Sequence, residues 1–191
     1  MAIKTAEQTV QEILAYHCPR YEEFSDLGLY KDQVVEALHR YAAPLLGFDD
    51  EPVITAAMIN NYVKQQLLPP PVKKRYGREH LAYLYAICLL KRVFTISEIR
   101  GMLDIQTRTY PFARAYDYFC VELEKALQAA FSTRDFSAPS SATQVTPESE
   151  LVRTAAVSIA HKLFTAVFLL LYDQVPEAEY KAAMKRLNQN P

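Results

Sequence analysis

Only four glycines punctuate the 191 residues, too few for the many tight turns of a sheet protein. With Ala, Leu, Glu, Gln and Lys abundant and apolar residues spaced by three and four, the chain is expected to be all-α. Cysteine is equally sparse. Cys18, Cys88 and Cys120 are odd in number, far apart and never in a Cys-x-x-Cys pair. That spacing supports neither a disulfide framework nor a zinc site and predicts reduced, buried thiols. The four histidines, His17, His39, His80 and His161, share no i, i+4 ligand spacing, so no metal is expected. A Gly-rich phosphate loop, a Gly-x-Ser-x-Gly elbow and a His-Glu-x-x-His helix are all missing. The chain is accordingly expected to have no catalytic residues and no cofactor.

The start, Met1 to Gln8, has neither the basic residues nor the apolar core of a signal peptide, so a cytoplasmic location is expected. The most apolar run, Ala155 to Tyr172, is interrupted by His161 and Lys162. A central lysine costs about 2.5 to 3.5 kcal/mol on membrane insertion, which favours a buried helix over a spanning one, with no membrane partner. Half the residues are apolar and 23% charged, a globular balance. A chain of this length is expected to hold one good core with an appended helical part.

Thr5 is a candidate cap for a first helix, with Gln8 completing a capping box and Val10, Ile13, Leu14 and His17 on one side before Pro19. A loop through Tyr21, Phe24 and Gly28 leads to a second helix from about Asp32, ended by Gly47. After the acidic turn Asp49-Asp50-Glu51, Thr55 opens a short helix through Lys64, with Ile54 and Ile59 as a hydrophobic staple. Pro69, Pro70 and Pro71 exclude helix and predict an extended arm or small wing. Gly77 begins a helix reaching about Val93, and the Thr95 to Glu98 capping box opens a short one ending near Leu103. From Phe112 through Tyr116, Phe119, Leu123, Leu127 and Phe131 runs an aromatic-rich stripe suited to a core or a dimer interface. The Ser-, Thr- and Pro-containing run from about 132 to 147 reads as a linker. Thr146 and Pro147 then start the apolar helix, which Pro176 separates from a charged final one.

Net charge is −1, yet between Tyr62 and Arg100 eight basic residues face two acids. That block of +6 leaves −7 for the rest of the chain, the asymmetry expected of a nucleic-acid face or of a solvated basic surface. Asn60, Asn61 and Tyr62 on a short helix have the chemistry to read a major groove, since asparagine makes paired hydrogen bonds to adenine. Lys64, Lys73, Lys74, Arg75 and Arg78 could neutralise phosphates. Asn60 and Asn61 equally suit a helix end, and Tyr62 and Tyr76 equally suit packing with a wet hydroxyl.

Residues Thr55 to Leu103 resemble the N-terminal reader of the MerR family of winged-helix regulators. The likeness rests on Tyr62, Leu67-Leu68-Pro69, Arg75-Tyr76, Leu81, Leu84, Ile87, Leu90 and Ser97-Glu98-Ile99. This chain has Asn60-Asn61-Tyr62 where the family usually has Arg-Tyr-Tyr, Gln66 where it has glycine, and a short wing, Val72 to Lys74. The chain also resembles a bacterial family of uncharacterised proteins through Met58 to Lys64, the triple proline and Lys74-Arg75-Tyr76-x-Arg78-Glu79-His80. The resemblance implies an all-α fold with a MerR-like winged helix-turn-helix embedded in a helical bundle. Residues 1–50 would pack on the reader, 51–104 would form it, and 105–191 would be a helical part with a possible dimerisation role. The implied function is a DNA-binding transcriptional regulator acting on duplex DNA as a homodimer. The alternative is a helical protein-interaction module that has lost DNA binding and presents its basic and aromatic faces to an acidic partner.

Overall fold

The computed structural model describes residues 6–46, 52–135 and 140–172. They form seven α-helices, α1 (Ala6–Leu14), α2 (Lys31–Leu46), α3 (Ala56–Lys64), α4 (Arg78–Leu90), α5 (Ile96–Thr109), α6 (Phe112–Gln128) and α7 (Pro147–Tyr172). Among the described residues β structure is confined to two isolated antiparallel bridges, so the all-α expectation holds. The expected cap Thr5, the helix end at Gly47, the acidic turn Asp49 to Glu51 and the charged helix beyond Pro176 lie outside the described residues.

The chain forms two compact units, one of residues 18–120 and one of 1–17 with 121–191. Helix α4 is the centre of the first. Leu81, Ala82 and every residue from Leu84 to Leu90 are buried, and burial all round marks a core helix rather than a one-faced surface helix. Helix α2 packs on α3 and α4 through Val34, Leu38, Ala42, Leu45 and Leu46. Pro44 lies in the last turn of α2 and, lacking an N–H, leaves the Arg40 carbonyl without its i→i−4 bond. Above α4, Phe24 sits in an irregular loop yet is only 1% exposed, its ring 5.3 Å from Tyr41, 6.1 Å from Tyr85 and 5.9 Å from Tyr116. Tyr83 stacks flat on Phe112 at 3.7 Å. The three thiols are free and buried.

The helix starts expected at Thr55 and Thr95 both form. The Thr55 hydroxyl accepts from the Met58 N–H at 3.2 Å, and Ile54 and Ile59 are both buried beneath it. At α5 the Thr95 N–H donates to the Glu98 carboxylate at 2.7 Å while the Glu98 N–H donates to the Thr95 hydroxyl at 3.3 Å. The Thr95 N–H and the Thr95 hydroxyl, which also donates to that carboxylate at 2.8 Å, hold the Glu98 carboxyl below the usual carboxylate range. Helix α5 runs on to Thr109, six residues past the expected stop at Leu103, because no glycine or proline lies between Leu103 and Pro111.

Helix α3 ends in a Schellman motif. The Leu67 N–H donates to the Tyr62 carbonyl at 2.9 Å and the Gln66 N–H to the Val63 carbonyl at 3.0 Å, with Gln66 left-handed at φ 57°. Glycine is the usual residue there because a Cβ costs about 1–2 kcal/mol in that conformation. Gln66→Gly is expected to raise the unfolding free energy by about 1 kcal/mol, the relief of Cβ strain outweighing added chain entropy. A urea midpoint unchanged or lowered in that variant would show that the turn carries no strain.

In the other unit, Val10 and Ile13 of α1 are buried, and the Gln128 amide donates to the Leu14 carbonyl at 2.7 Å. His17 lies beyond the end of α1, its Nδ1 3.4 Å from Glu124. Leu123, Leu127 and Phe131 of the aromatic stripe are buried here, whereas Tyr116 and Phe119 are buried in the first unit. Helix α6 continues into a π-turn, Ala129–Thr133, whose Phe131 ring meets Phe164 of α7 at 5.3 Å. The Ser149 N–H donates to the Thr146 hydroxyl at 3.2 Å, starting α7 as expected. That helix is long and apolar enough to cross a membrane by length and composition. Its buried residues, Val152, Ala155, Ala156, Ile159, Ala160, Leu163 and Val167, nevertheless recur at helical spacing along one stripe, and Lys162 is exposed. Within the run expected as a linker, Ser141 is tied to buried Glu122, its N–H donating at 2.8 Å.

Candidate nucleic-acid interface

Helix α3 presents two faces. Ile59 and Tyr62, three apart, fall on the buried stripe, while Ala57, Asn60, Asn61 and Lys64 form the exposed one. Tyr62 is therefore corrected from a groove contact to a core residue. It is 4% exposed, and burial pushes its phenol up to about 12. Asn60 and Asn61 are exposed as expected, but both are already bonded. The Lys31 ammonium donates to Asn60 Oδ1 at 2.6 Å, and the Gln65 amide donates to Asn61 Oδ1 at 3.2 Å. In both asparagines the side-chain oxygen is the atom engaged.

After α3 the chain passes through the proline arm into a miniature hairpin. The Val72 N–H donates to the Arg75 carbonyl at 3.1 Å and the Arg75 N–H to the Val72 carbonyl at 2.9 Å. The two-residue loop between them is Lys73 and Lys74, left-handed at φ 48° and φ 65°. Two successive positive φ values define a type I′ turn, which ordinarily takes Asn-Gly because other side chains are strained there. The hairpin base pairs with a separate segment, since the Leu29 N–H donates to the Tyr76 carbonyl at 2.8 Å and the Tyr76 N–H to the Leu29 carbonyl at 2.9 Å. His80 holds the arm from the other side. Its Nδ1 accepts from the Gly77 N–H at 3.1 Å, and its Nε2 lies 3.3 Å from the Pro70 carbonyl.

The basic block separates into two groups. Arg75 donates to the Gly28 carbonyl at 3.0 Å and to the Tyr30 hydroxyl at 2.9 Å, and its guanidinium lies 3.8 Å over the Tyr30 ring. Arg78 donates to the Phe24 carbonyl at 3.1 Å and pairs with Glu22. Lys91 donates to the Pro52 carbonyl at 3.2 Å, and Arg100 to the Gln65 carbonyl at the end of α3. These cations satisfy backbone carbonyls of turns and a helix end, which explains part of the charge block without any ligand. Arg75 and Arg78, expected on phosphates, are thus held inside the chain's own framework. Lys64, Lys73 and Lys74 are exposed and have no hydrogen bond or ion pair among the described residues.

Lys31 escaped the sequence reading. It lies outside the basic block, twenty-nine positions before Asn60, and no local motif announces a contact across that separation. Leu29 and Tyr30, on the same segment, were likewise illegible as partners of the hairpin. The surface assembled from these parts consists of Asn60, Asn61 and Lys64 on a helix, Lys73 and Lys74 on a two-residue hairpin, and Lys31 beside them through Asn60. Its donors are ammonium and amide groups, suited to an anionic, oxygen-rich partner.

Comparison with curated proteins and with solved structures returned no match. A family model described as Domain of unknown function (DUF1836) matches residues 19–119, more than half of the chain and almost the same span as the compact unit of residues 18–120. The chain belongs to this family of domains of unknown function.

Proposed function

We propose that the chain is a DNA-binding transcriptional regulator that reads duplex DNA, as a homodimer, through a MerR-like winged helix-turn-helix. In this reading α3 is the recognition helix, with α2 packed on it, and the Val72–Arg75 hairpin is the wing. The observation that carries it is the hairpin itself, which spends backbone strain to hold two uncommitted lysines at its tip, directly after a helix exposing Asn60, Asn61 and Lys64. Strain of this kind persists where surrounding structure enforces it, commonly at functional positions. At nine residues, α3 is about 13 Å long, short enough to lie within one major groove. A dimer would place two such helices on successive half-sites.

Fluorescence anisotropy of a mixed-sequence duplex, titrated at several salt concentrations, tests this. Four lysines per protomer, Lys31, Lys64, Lys73 and Lys74, give an expected log–log salt slope of about −3.6 per protomer. The K73A/K74A double variant is expected to reduce that slope by about 1.8 and to weaken binding about 30-fold at 0.15 M salt. The competing reading, a protein-interaction module for an acidic partner, predicts no duplex affinity even at low salt, and that result would remove the DNA assignment.

A further inference from the structure

Arg75 looks from sequence like one more phosphate ligand, but its surroundings give it a different task. The guanidinium spans three groups of one segment, the Gly28 carbonyl, the Tyr30 hydroxyl and the Tyr30 ring face. Between those anchors, Leu29 makes the two backbone bonds that hold Tyr76. The fit is close, because a Cβ on Gly28 would lie 2.8 Å from the Arg75 Cβ. No glycine among the described residues has positive φ, so Gly28 is needed for approach rather than for backbone freedom. Two residues before Arg75 the chain turns through Lys73 and Lys74 in left-handed conformations that strain any residue with a Cβ. An isolated two-stranded hairpin is marginal in water, so a strained one needs an external brace.

We propose that Arg75, seated on Tyr30 over Gly28, is a positioning residue that braces the hairpin and aims Lys73 and Lys74, and is not itself a phosphate contact. The role assigned to the lysines rests on the DNA reading above; the brace itself does not. Arginine suits the task and lysine does not. A planar guanidinium donates to two acceptors while stacking on a ring, whereas an ammonium is a point donor without a flat face. Tyr30, 52% exposed, is kept on the surface as the platform for that stack.

The conservative substitution separates the two roles because it preserves charge. In Arg75→Lys a phosphate ligand would be retained and the salt slope would stay. A lost brace instead frees the hairpin, and the slope falls by up to about 1.8, the share of Lys73 and Lys74, with net charge unaltered. Gly28→Ala, which removes no charge and no hydrogen-bonding group, is expected to act in the same direction by pushing Arg75 off its seat. Amide exchange of the Arg75 and Tyr76 N–H groups, followed by NMR without DNA, reads the brace directly, and both should exchange faster in the two variants. Unchanged exchange in both overturns the brace. Faster exchange with an unchanged slope also overturns the proposal, while leaving DNA binding in place. A wild-type protein without duplex affinity removes the DNA reading and the phosphate role of the lysines together, an outcome told from failure of the brace by the wild-type titration alone.

Discussion

Phe24→Ala is expected to lower the unfolding free energy by about 3–5 kcal/mol, the cost of emptying an aromatic site in a packed core. That is a large fraction of the 5–15 kcal/mol typical of a whole domain. Three tyrosine rings close on Phe24, from α2, α4 and α6, and its carbonyl receives the Arg78 guanidinium. The internal control is Leu27, three residues along the same loop and 79% exposed. Leu27→Ala should change stability by no more than about 0.5 kcal/mol. Guanidinium denaturation followed by circular dichroism compares the two, and equal effects would show that the ring cluster does not hold the 18–30 segment.

Alkaline pH should destabilise the protein before its backbone chemistry fails. Burial pushes the Cys88 thiol up to about 12, against opposing pulls from Lys91 and Arg92, and it lifts the Tyr62 phenol to about 12, with Cys88 adding to the effect. In the unfolded chain these groups ionise near their ordinary values of 9.0 and 10.0. The native state therefore holds protons that the unfolded state has released, and stability falls as pH rises from about 9 towards 12. At about 1.4 kcal/mol per pH unit of displacement, the rises from 9.0 to about 12 and from 10.0 to about 12 are together worth on the order of 7 kcal/mol across that window. Denaturation of the wild type and of Cys88→Ala at pH 8 and pH 11 isolates the thiol. The variant should lose distinctly less stability between the two pH values, and parallel losses would mean that Cys88 ionises without unfolding.

Much of the helical architecture was legible because its signals are local. Thr55 with Ile54 and Ile59, the Thr95–Glu98 box and the Thr146-Pro147 start each use neighbours within one turn, where a cap gains its energy whatever the rest of the chain does. The ends were harder. Helix α5 continued past Leu103 and α4 stopped at Leu90 rather than Val93, since propensity alone sets stops weakly when no glycine or proline intervenes. The buried character of Tyr62 was an open alternative in the sequence and followed from its three-residue spacing to Ile59 once the face of α3 was known.

The candidate site divides along the same line. Composition and spacing by themselves determined that the chain is helical, that its thiols are isolated, that a proline arm interrupts the helices and that basic residues concentrate between Tyr62 and Arg100. These follow from backbone stereochemistry and local hydrogen bonding, which act over a few residues. Tertiary structure alone decided which of those cations face outward. Arg75, Arg78, Lys91 and Arg100 are drawn to carbonyls thirty-five to fifty-four positions away, while Lys64, Lys73 and Lys74 are left to solvent and Lys31 is brought to Asn60. A charged side chain takes its partner from whatever unsatisfied oxygen the fold carries within about 3 Å, and that neighbourhood exists only after distant segments have packed.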